Sequence, residues 1–453
     1  MQRLFMLVAS LALVGIPTLC VPASAAEPTT RGVFPYEVQS STLENGLNVL
    51  SVPFDSPGII AYYTVVRTGS RNEVESGLSG FAHFFEHMMF RGTEKYSQEK
   101  YNSVLKTLGA DSNAFTTDDW TCYHITLPST ALAKAVEVEA DRFRNLRYDE
   151  PAFQKEARAV LGEYNKSASS PFLMLNETMQ DKAYSKHTYK HTTIGFLADV
   201  KNMPNQYAYS KTFFDRWYRP ENCTIVVAGD VDHAELLSLV RKEYGSWERG
   251  KSSVTIPEEP PQTEGRTAAL KWPVPTLPVL YLGYHIPAAD PSNPDTAALG
   301  ALAQALFGET SPLYKELVLE QQKVVILMAD SEAKRDPGLF TILARARDPK
   351  DVAKVRARIE KAIEDAAKTP VADAKLQTIK DHLRYAFAGS LNNADAVARA
   401  IGESIATSGR PDMWNDLYAA YAKLTPADLQ RVAGKYFAAT NQTVVTLETE
   451  ASK

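Results

Sequence analysis

The sequence predicts an α+β fold made of two homologous domains, each a mostly antiparallel sheet packed with helices. Apolar, strand-like runs alternate with helical patterns on both sides of a proline-rich stretch. Asn45-Gly46, between two apolar runs, is typical of the turn of an antiparallel hairpin. The two halves also end in similar segments, as duplication of one domain would produce.

The strand-like runs are distributed similarly in the two halves. In the first half they cover residues 48–52, 60–67, 123–127 and 224–228, and in the second half residues 279–285, 324–329, 339–344 and 443–447. Tyr218 and Asn222 precede the last run of the first half, while Tyr436 and Asn441 precede the last run of the second. This repeat supports the prediction of a duplicated domain.

Composition along the chain predicts the domain boundaries. Residues 1–25 are predicted to be a secretory signal peptide, because Arg3 precedes an apolar stretch and Ala23-Ser24-Ala25 forms a small-residue cleavage site. Residues 26–249 then form the first domain and residues 279–453 the second. Residues 250–278, rich in proline and charge, are predicted to be a linker.

Overall composition excludes several classes of protein. With 44% hydrophobic and 23% charged positions, the chain is not a disordered, collagen-like or polytopic membrane protein. The net charge of −5 without a long basic run argues against a nucleic-acid partner. The apolar stretch at residues 4–19 is too short for a stable membrane span. Cys122 and Cys223 are either buried thiols, which we favour, or a disulfide pair.

A His-x-x-Glu-His motif carries the main chemical signal of the sequence. His83 and His87 are four residues apart, so on a helix they share one face and can bind one Zn²⁺. Ser79 is a predicted N-cap of this helix and Gly92 its predicted stop. Glu86 projects from the same side and can accept the proton of a water that the metal activates.

A second predicted helix, beginning near Pro151, supplies candidates for a third ligand. Glu156 and Glu163 are seven residues apart and therefore share a face. One could bind the metal while the other orients a histidine from behind. From spacing alone, we favour the simpler interpretation that both are solvated surface carboxylates.

His187 and His191 are also four residues apart and could form a second metal-binding pair. They have no acidic neighbour in the sequence and lie in a stretch rich in Ser, Lys and Thr that resembles a loop. We therefore do not expect them to bind metal.

The motif and its spacing closely resemble those of the pitrilysin/insulinase family of zinc metallopeptidases, in the short branch that includes mitochondrial-processing peptidase. The resemblance implies His83, His87 and Glu163 as ligands of one Zn²⁺ per chain, with Glu86 as the catalytic general base. It also implies that Glu156 supports the ligands from behind.

The resemblance extends over nearly the whole chain after the signal peptide. Asn113 and Ala114 match the strand along which that family binds peptide substrates, which add as a strand beside the sheet edge. The resemblance also implies a clamshell-type dimer, either a homodimer or a hetero-oligomer.

One segment departs from the family pattern. The family often carries an arginine in a Ser-Arg-Leu-Tyr segment and a tyrosine shortly after it, whereas this chain has Ser311-Pro312-Leu313-Tyr314 and no tyrosine in residues 323–327. Loss of such groups would weaken binding of the transition state. The sequence therefore predicts the zinc-bearing subunit of a hetero-oligomer, whose zinc-free homologous partner supplies the missing Arg/Tyr pair.

The function predicted from these features is zinc-dependent endopeptidase activity on peptides or unfolded polypeptide segments. The alternative is a non-catalytic periplasmic chaperone or export factor of the same fold, which the missing Arg/Tyr pair favours. The intact Glu86 argues against that alternative, since a structural zinc site has no use for a general base. The signal peptide predicts an exported protein, and the periplasm of a Gram-negative bacterium is the expected compartment.

Overall fold

A computed structural model describes residues 32–250 and 254–450 of the chain. The predicted signal peptide, residues 1–25, lies outside the described residues. Within the described ranges, no helix is both long and apolar enough to cross a membrane.

The strands and helices alternate along both halves of the chain. The strands are β1 (Gln39–Thr42), β2 (Asn48–Pro53), β3 (Ile59–Val66), β4 (Asp111–Thr116), β5 (Thr121–Pro128), β6 (Cys223–Gly229), β7 (Arg266–Trp272), β8 (Val279–His285), β9 (Val324–Ser331), β10 (Leu339–Ala346) and β11 (Gln442–Thr449). The helices are α1 (Phe81–Met88), α2 (Gln98–Thr107), α3 (Leu132–Asn145), α4 (Glu150–Ser167), α5 (Pro171–Ala183), α6 (Leu197–Asn202), α7 (Tyr207–Trp217), α8 (His233–Tyr244), α9 (Pro294–Phe307), α10 (Pro312–Tyr314), α11 (Val352–Lys368), α12 (Asp373–Ser390), α13 (Ala394–Ser408), α14 (Met413–Lys423) and α15 (Pro426–Tyr436).

The two sheets share one topology. The first has the order β1-β2-β6-β3-β5-β4 and the second the order β7-β11-β8-β10-β9. In each sheet the first and last long strands of that half pair in parallel, β2 with β6 and β7 with β11. The other pairs are antiparallel. The α+β prediction and the predicted duplication are therefore confirmed, and β1 is an extra edge strand of the first sheet.

The linker prediction is wrong over part of its length. Strand β7 lies inside residues 250–278 and pairs along its whole length with β11, so this stretch belongs to the second sheet. Its side chains are alternately half-buried and exposed, which gives a weak apolar signal. Prolines on both sides of the strand obscured that signal further.

Each half contributes a helix to the sheet of the other half. Helix α13 of the second half packs on the first sheet, where Val397 and Ile401 share a cluster with Val52 and Val65. Helix α5 of the first half packs on the second sheet in a cluster that includes Val445. This exchange buries apolar faces of both sheets and fixes the two halves to each other.

The two strand cysteines are buried free thiols. Cys122 pairs with Val65 and Cys223 with Val66, which are adjacent residues of the same strand, β3. Successive residues of a strand point to opposite faces of the sheet, so the two sulfur atoms lie on different faces and cannot form a disulfide.

Candidate metal centre

Helix α1 is fixed at its start by a buried carboxylate. Glu73 accepts hydrogen bonds from the backbone N–H of Gly80 at 2.6 Å and of Ala82 at 2.7 Å. Gly80 is the N-cap and has a φ of +91°, which favours glycine. The prediction of Ser79 as N-cap is therefore wrong, because the Ser79 hydroxyl donates to Asp199 at 2.6 Å instead.

Packing then orients the polar face of α1. Phe84, Phe85 and Met88 are fully buried in the core between the first sheet and the helices around it. The same helix contacts β4, β5 and α4. Since residues i and i+4 share a face, this packing leaves His83 and His87 together on the side that meets α4.

The histidines converge with Glu163 of α4. The Nε2 atoms of His83 and His87 lie 3.6 Å and 3.3 Å from Oε2 of Glu163. These three residues each offer one ligand atom, and the atoms lie within 4.8 Å of one another. Within the described ranges, this is the one cluster of His, Cys, Asp and Glu with such geometry. Two nitrogens and a carboxylate oxygen form a donor set that suits zinc.

Glu156 lies behind one of the histidines. Its Oε1 is 3.1 Å from Nδ1 of His87, and its other oxygen forms an ion pair with Arg91. Burial opposes ionisation of Glu156, but the hydrogen bond from His87 and the charge of Arg91 hold the pKa of this carboxyl below its ordinary value. A hydrogen bond at Nδ1 leaves Nε2 of His87 free to face Glu163.

Burial and hydrogen bonding act differently on the two histidines. Burial, with a contribution from His87, lowers the pKa of His83 to about 4 and therefore favours the neutral imidazole. The hydrogen bond to Glu156 raises the pKa of His87. Nδ1 of His83 is buried without a hydrogen-bond partner among the described residues.

Glu86 lies on the same helix, between the two histidines in sequence. Burial raises the pKa of its carboxyl, although a hydrogen bond from Thr116 acts in the opposite direction. The Thr116 hydroxyl donates to Oε2 of Glu86 at 2.6 Å. Sequence reasoning missed this contact, the Arg91–Glu156 ion pair and the Glu73 cap, because each depends on tertiary packing.

Asn113 and Ala114 lie on β4, an edge strand of the first sheet. Ala114 is buried on the α1 side of the sheet, in the same cluster as Phe85. Asn113 is exposed, and its Oδ1 accepts a hydrogen bond from the backbone N–H of Ala114 at 2.9 Å. The outer edge of β4 is open to pairing, because β4 pairs with β5 alone within the described ranges.

His187 and His191 are buried and flank a short 3-10 turn, Thr188–Lys190. Nε2 of His187 lies 2.8 Å from Oδ2 of Asp336, a residue of the second half. His191 lies 3.8 Å from the carboxylate of Glu73. Both histidines thus have acidic neighbours that only the fold supplies.

Comparisons with known proteins agree with the fold. The family "Insulinase (Peptidase family M16)" matches residues 60–195, and the family "Peptidase M16 inactive domain" matches residues 206–383. A solved structure, the crystal structure of a protease from Helicobacter pylori, is 30% identical and has a TM-score of 0.85. The alignment covers 91% of this chain and 99% of that one.

Two curated relatives carry protease names. Zinc protease PqqE from Helicobacter pylori is 29% identical, with 96% of this chain and 98% of the relative covered. A probable mitochondrial-processing peptidase subunit beta from Schizosaccharomyces pombe is 23% identical, with 88% of each chain covered.

The fold packs a His-x-x-Glu-His helix beside an edge strand of the first sheet, and this motif is of the type that zinc metallopeptidases carry. The chain belongs to peptidase family M16, the insulinase or pitrilysin family. The region matched by the insulinase description contains the whole candidate metal centre. The resemblance seen in the sequence is therefore confirmed.

Proposed function

We propose that this protein is a zinc-dependent endopeptidase that hydrolyses peptides or unfolded polypeptide segments. The observation that carries this proposal is the convergence of His83 and His87 of α1 with Glu163 of α4 within 4.8 Å, beside Glu86 of α1. Membership of family M16 supports it, since several relatives are named zinc proteases.

The donor set fits a catalytic zinc better than a structural one. Three protein ligands leave a coordination position open, whereas structural zinc sites are closed by four. Two neutral imidazoles and one carboxylate would hold one ion per chain, and Glu156 would keep His87 in the tautomer that binds through Nε2. When bound there, zinc would lower the pKa of a water molecule towards neutrality and polarise a peptide carbonyl.

The protein's own residues account for the remaining steps. A substrate strand can pair with the open edge of β4, which is consistent with the roles expected of Asn113 and Ala114. Glu86 accepts the proton of the attacking water and then delivers it to the nitrogen of the departing amine. This transfer breaks the C–N bond and regenerates the carboxylate.

The second half suggests that a partner subunit completes the site. Ser311 caps the short helix α10, and Pro312 stands where many family members have an arginine. In the family, a tyrosine follows shortly after that arginine. Here the corresponding stretch, at the start of strand β9, contains Val325, Ile326 and Leu327 and no tyrosine. We propose a hetero-oligomer with a zinc-free homologous subunit that supplies the missing Arg/Tyr pair, or otherwise a homodimer. The similarity to a processing-peptidase beta subunit favours the first arrangement.

The same departure supports a second candidate, a non-catalytic chaperone or export factor of the same fold. A fold neighbour described as a peptidase M16 inactive domain, from Pseudomonas fluorescens, has a TM-score of 0.81 at 16% identity. For either function we propose export to the periplasm, on the basis of the predicted signal peptide.

Glu86→Gln separates these candidates. It replaces the general base by an amide of the same shape, and we expect zinc content to be unchanged while peptide hydrolysis falls by about 10²–10⁴-fold. Glu94→Gln, at an exposed position next to the same motif, is the matched control and should keep wild-type activity. The assay is cleavage of a fluorogenic peptide pool by the purified zinc-loaded chain.

The result of this assay distinguishes the candidate functions. Wild-type hydrolysis that disappears in Glu86→Gln supports the endopeptidase, and equal hydrolysis by both proteins contradicts it. A zinc-loaded but silent chain that becomes active with a homologous subunit supports the hetero-oligomer. A chain that stays silent with that subunit, yet prevents aggregation of an unfolded polypeptide, supports the non-catalytic candidate.

A further inference from the structure

The hydrogen bond between Thr116 and Glu86 ties the candidate general base to the strand at the edge of the sheet. Thr116 is the last residue of β4, and its hydroxyl donates to Oε2 of Glu86 at 2.6 Å. We propose that Thr116 is a positioning residue that holds the Glu86 carboxylate in the orientation needed for proton transfer. This inference rests on the proposed endopeptidase function.

The hydrogen bond from Thr116 makes the two carboxylate oxygens of Glu86 different from each other. Oε2 is engaged by Thr116, whereas Oε1 receives no hydrogen bond from the described residues. The free oxygen is therefore the one that can take the proton of the attacking water. A glutamate has three side-chain torsions, and without this bond its carboxylate could turn away from the water.

Thr116 is itself held in place by the β4–β5 hairpin, whose turn directly follows it. It lies opposite Thr121 in the β4–β5 pairing, and the backbone N–H of Thr117 donates to the carbonyl of Trp120 at 2.8 Å. The Thr121 hydroxyl donates in turn to the carbonyl of Thr68 on the β3 side at 2.9 Å. These bonds fix the position of the Thr116 hydroxyl relative to helix α1.

The second half of the protein anchors the same hairpin. Lys334 forms an ion pair of 2.6 Å with Asp118, and the backbone N–H of Arg335 donates to Asp119 at 2.9 Å. The β9–β10 loop therefore holds the turn that follows Thr116. Although this half lacks the Arg/Tyr pair, it supports the position of Glu86 through Thr116.

Thr116→Val tests the role of the hydroxyl, because valine keeps the shape of threonine and removes the donor. Misplacement of a reacting group by about 1 Å can cost ~100-fold in rate, so we expect kcat on the best-cleaved peptide to fall ~10–100-fold with KM nearly unchanged. Thr116→Ser restores the hydroxyl and should recover most of kcat. Zinc content and the thermal unfolding midpoint should remain those of the wild type.

Crystal structures of the zinc-loaded wild type and Thr116→Val provide a readout that does not depend on activity. We expect the Glu86 carboxylate to lie within hydrogen-bond distance of residue 116 in the wild type and to leave that position in the valine variant. Wild-type kcat in Thr116→Val, equal losses in the valine and serine variants, or an unmoved Glu86 would each overturn the inference. If Glu86→Gln hydrolyses peptides as fast as the wild type, the proposed function fails, and the position of Glu86 still decides whether Thr116 orients it.

Discussion

The two sheets share one strand order but differ in the helix that follows their central strand. In the first half, α1 follows β3 and presents His83, Glu86 and His87. In the second half, α9 follows β8. Most residues of α9 are buried, and most of these are alanine or leucine. Its one buried charge, Asp295, lies at the start of the helix and pairs with Arg431.

This difference separates the requirements of the fold from those of the chemistry. In both halves, apolar strands pack against a helix contributed by the other half, α13 on the first sheet and α5 on the second. The proposed metal centre would use three polar side chains on α1 and two on α4, which are present without any change of the sheet order.

Removal of the carboxylate ligand should have the largest effect. We expect Glu163→Gln to lose zinc under conditions in which the wild type holds one ion per chain, because a neutral amide is a weaker ligand than a carboxylate. Metal analysis after dialysis measures the occupancy. Glu150→Gln, at the exposed start of the same helix, should keep the wild-type zinc content. Full occupancy in Glu163→Gln would remove this residue from the ligand set.

A mutation in the second half should destabilise the first sheet. Ile401 of α13 is fully buried in the cluster that covers this sheet, and an Ile→Ala change in a core typically costs about 2–5 kcal/mol. Urea unfolding measures the loss in the free energy of unfolding. Leu319→Ala, at a side chain that is 58% exposed, is the control and should cost less than about 0.5 kcal/mol. Equal losses in the two variants would contradict the exchange of helices.

Glu156→Gln should weaken zinc binding without abolishing it. Residues that orient a metal ligand from behind typically contribute 10- to 100-fold in affinity, so we expect a loss of about that size. Competition with a fluorescent chelator measures the dissociation constant. An unchanged constant would mean that the contact between Glu156 and His87 does not orient the ligand.

Asp336 should stabilise the junction of the two halves in a pH-dependent way. It accepts hydrogen bonds from Arg71 at 2.5 Å and from His187 at 2.8 Å, and loss of such bonds costs about 1–3 kcal/mol. Burial opposes its charge, but the bonds from His187 and Arg71 hold the pKa of Asp336 well below its ordinary value. We expect Asp336→Asn to lower the free energy of unfolding by that amount at neutral pH.

The sign of the pH dependence follows from the lowered pKa of Asp336. The stabilisation is complete above the unfolded-chain pKa of about 3.9 and is lost as the pH falls through the lower pKa of the folded protein. The difference between wild type and Asp336→Asn should therefore shrink below about pH 4. Urea unfolding at several pH values measures it, and a difference that is the same at all pH values would contradict the account.

Much of the fold could be predicted because apolar strand runs are local signals. The run predicted at residues 224–228 lies within β6 (Cys223–Gly229), and the run at residues 443–447 lies within β11 (Gln442–Thr449). The weakly alternating β7 was missed, as was the exchange of helices. Both depend on partners far away in the sequence.

The site could be predicted where helix periodicity controls it. Four-residue spacing places His83 and His87 on one face, and seven-residue spacing places Glu156 and Glu163 together. Spacing alone could not tell which of the two glutamates lies near the candidate metal position. In the structure, the two side chains have different contacts and different exposure. Glu156 is 4% exposed and contacts Nδ1 of His87, while Glu163 is 43% exposed and lies near Nε2. The bond from Thr116 depends on sheet order and could not be read from a local pattern.

Crystallographic anomalous scattering at the zinc absorption edge tests the central claim most directly, with the full chain purified in the presence of zinc. We predict one strong peak per chain, within bonding distance of Nε2 of His83, Nε2 of His87 and the carboxylate of Glu163. A fully zinc-supplied crystal with no peak at this position, or with its peak at other residues, would contradict the account.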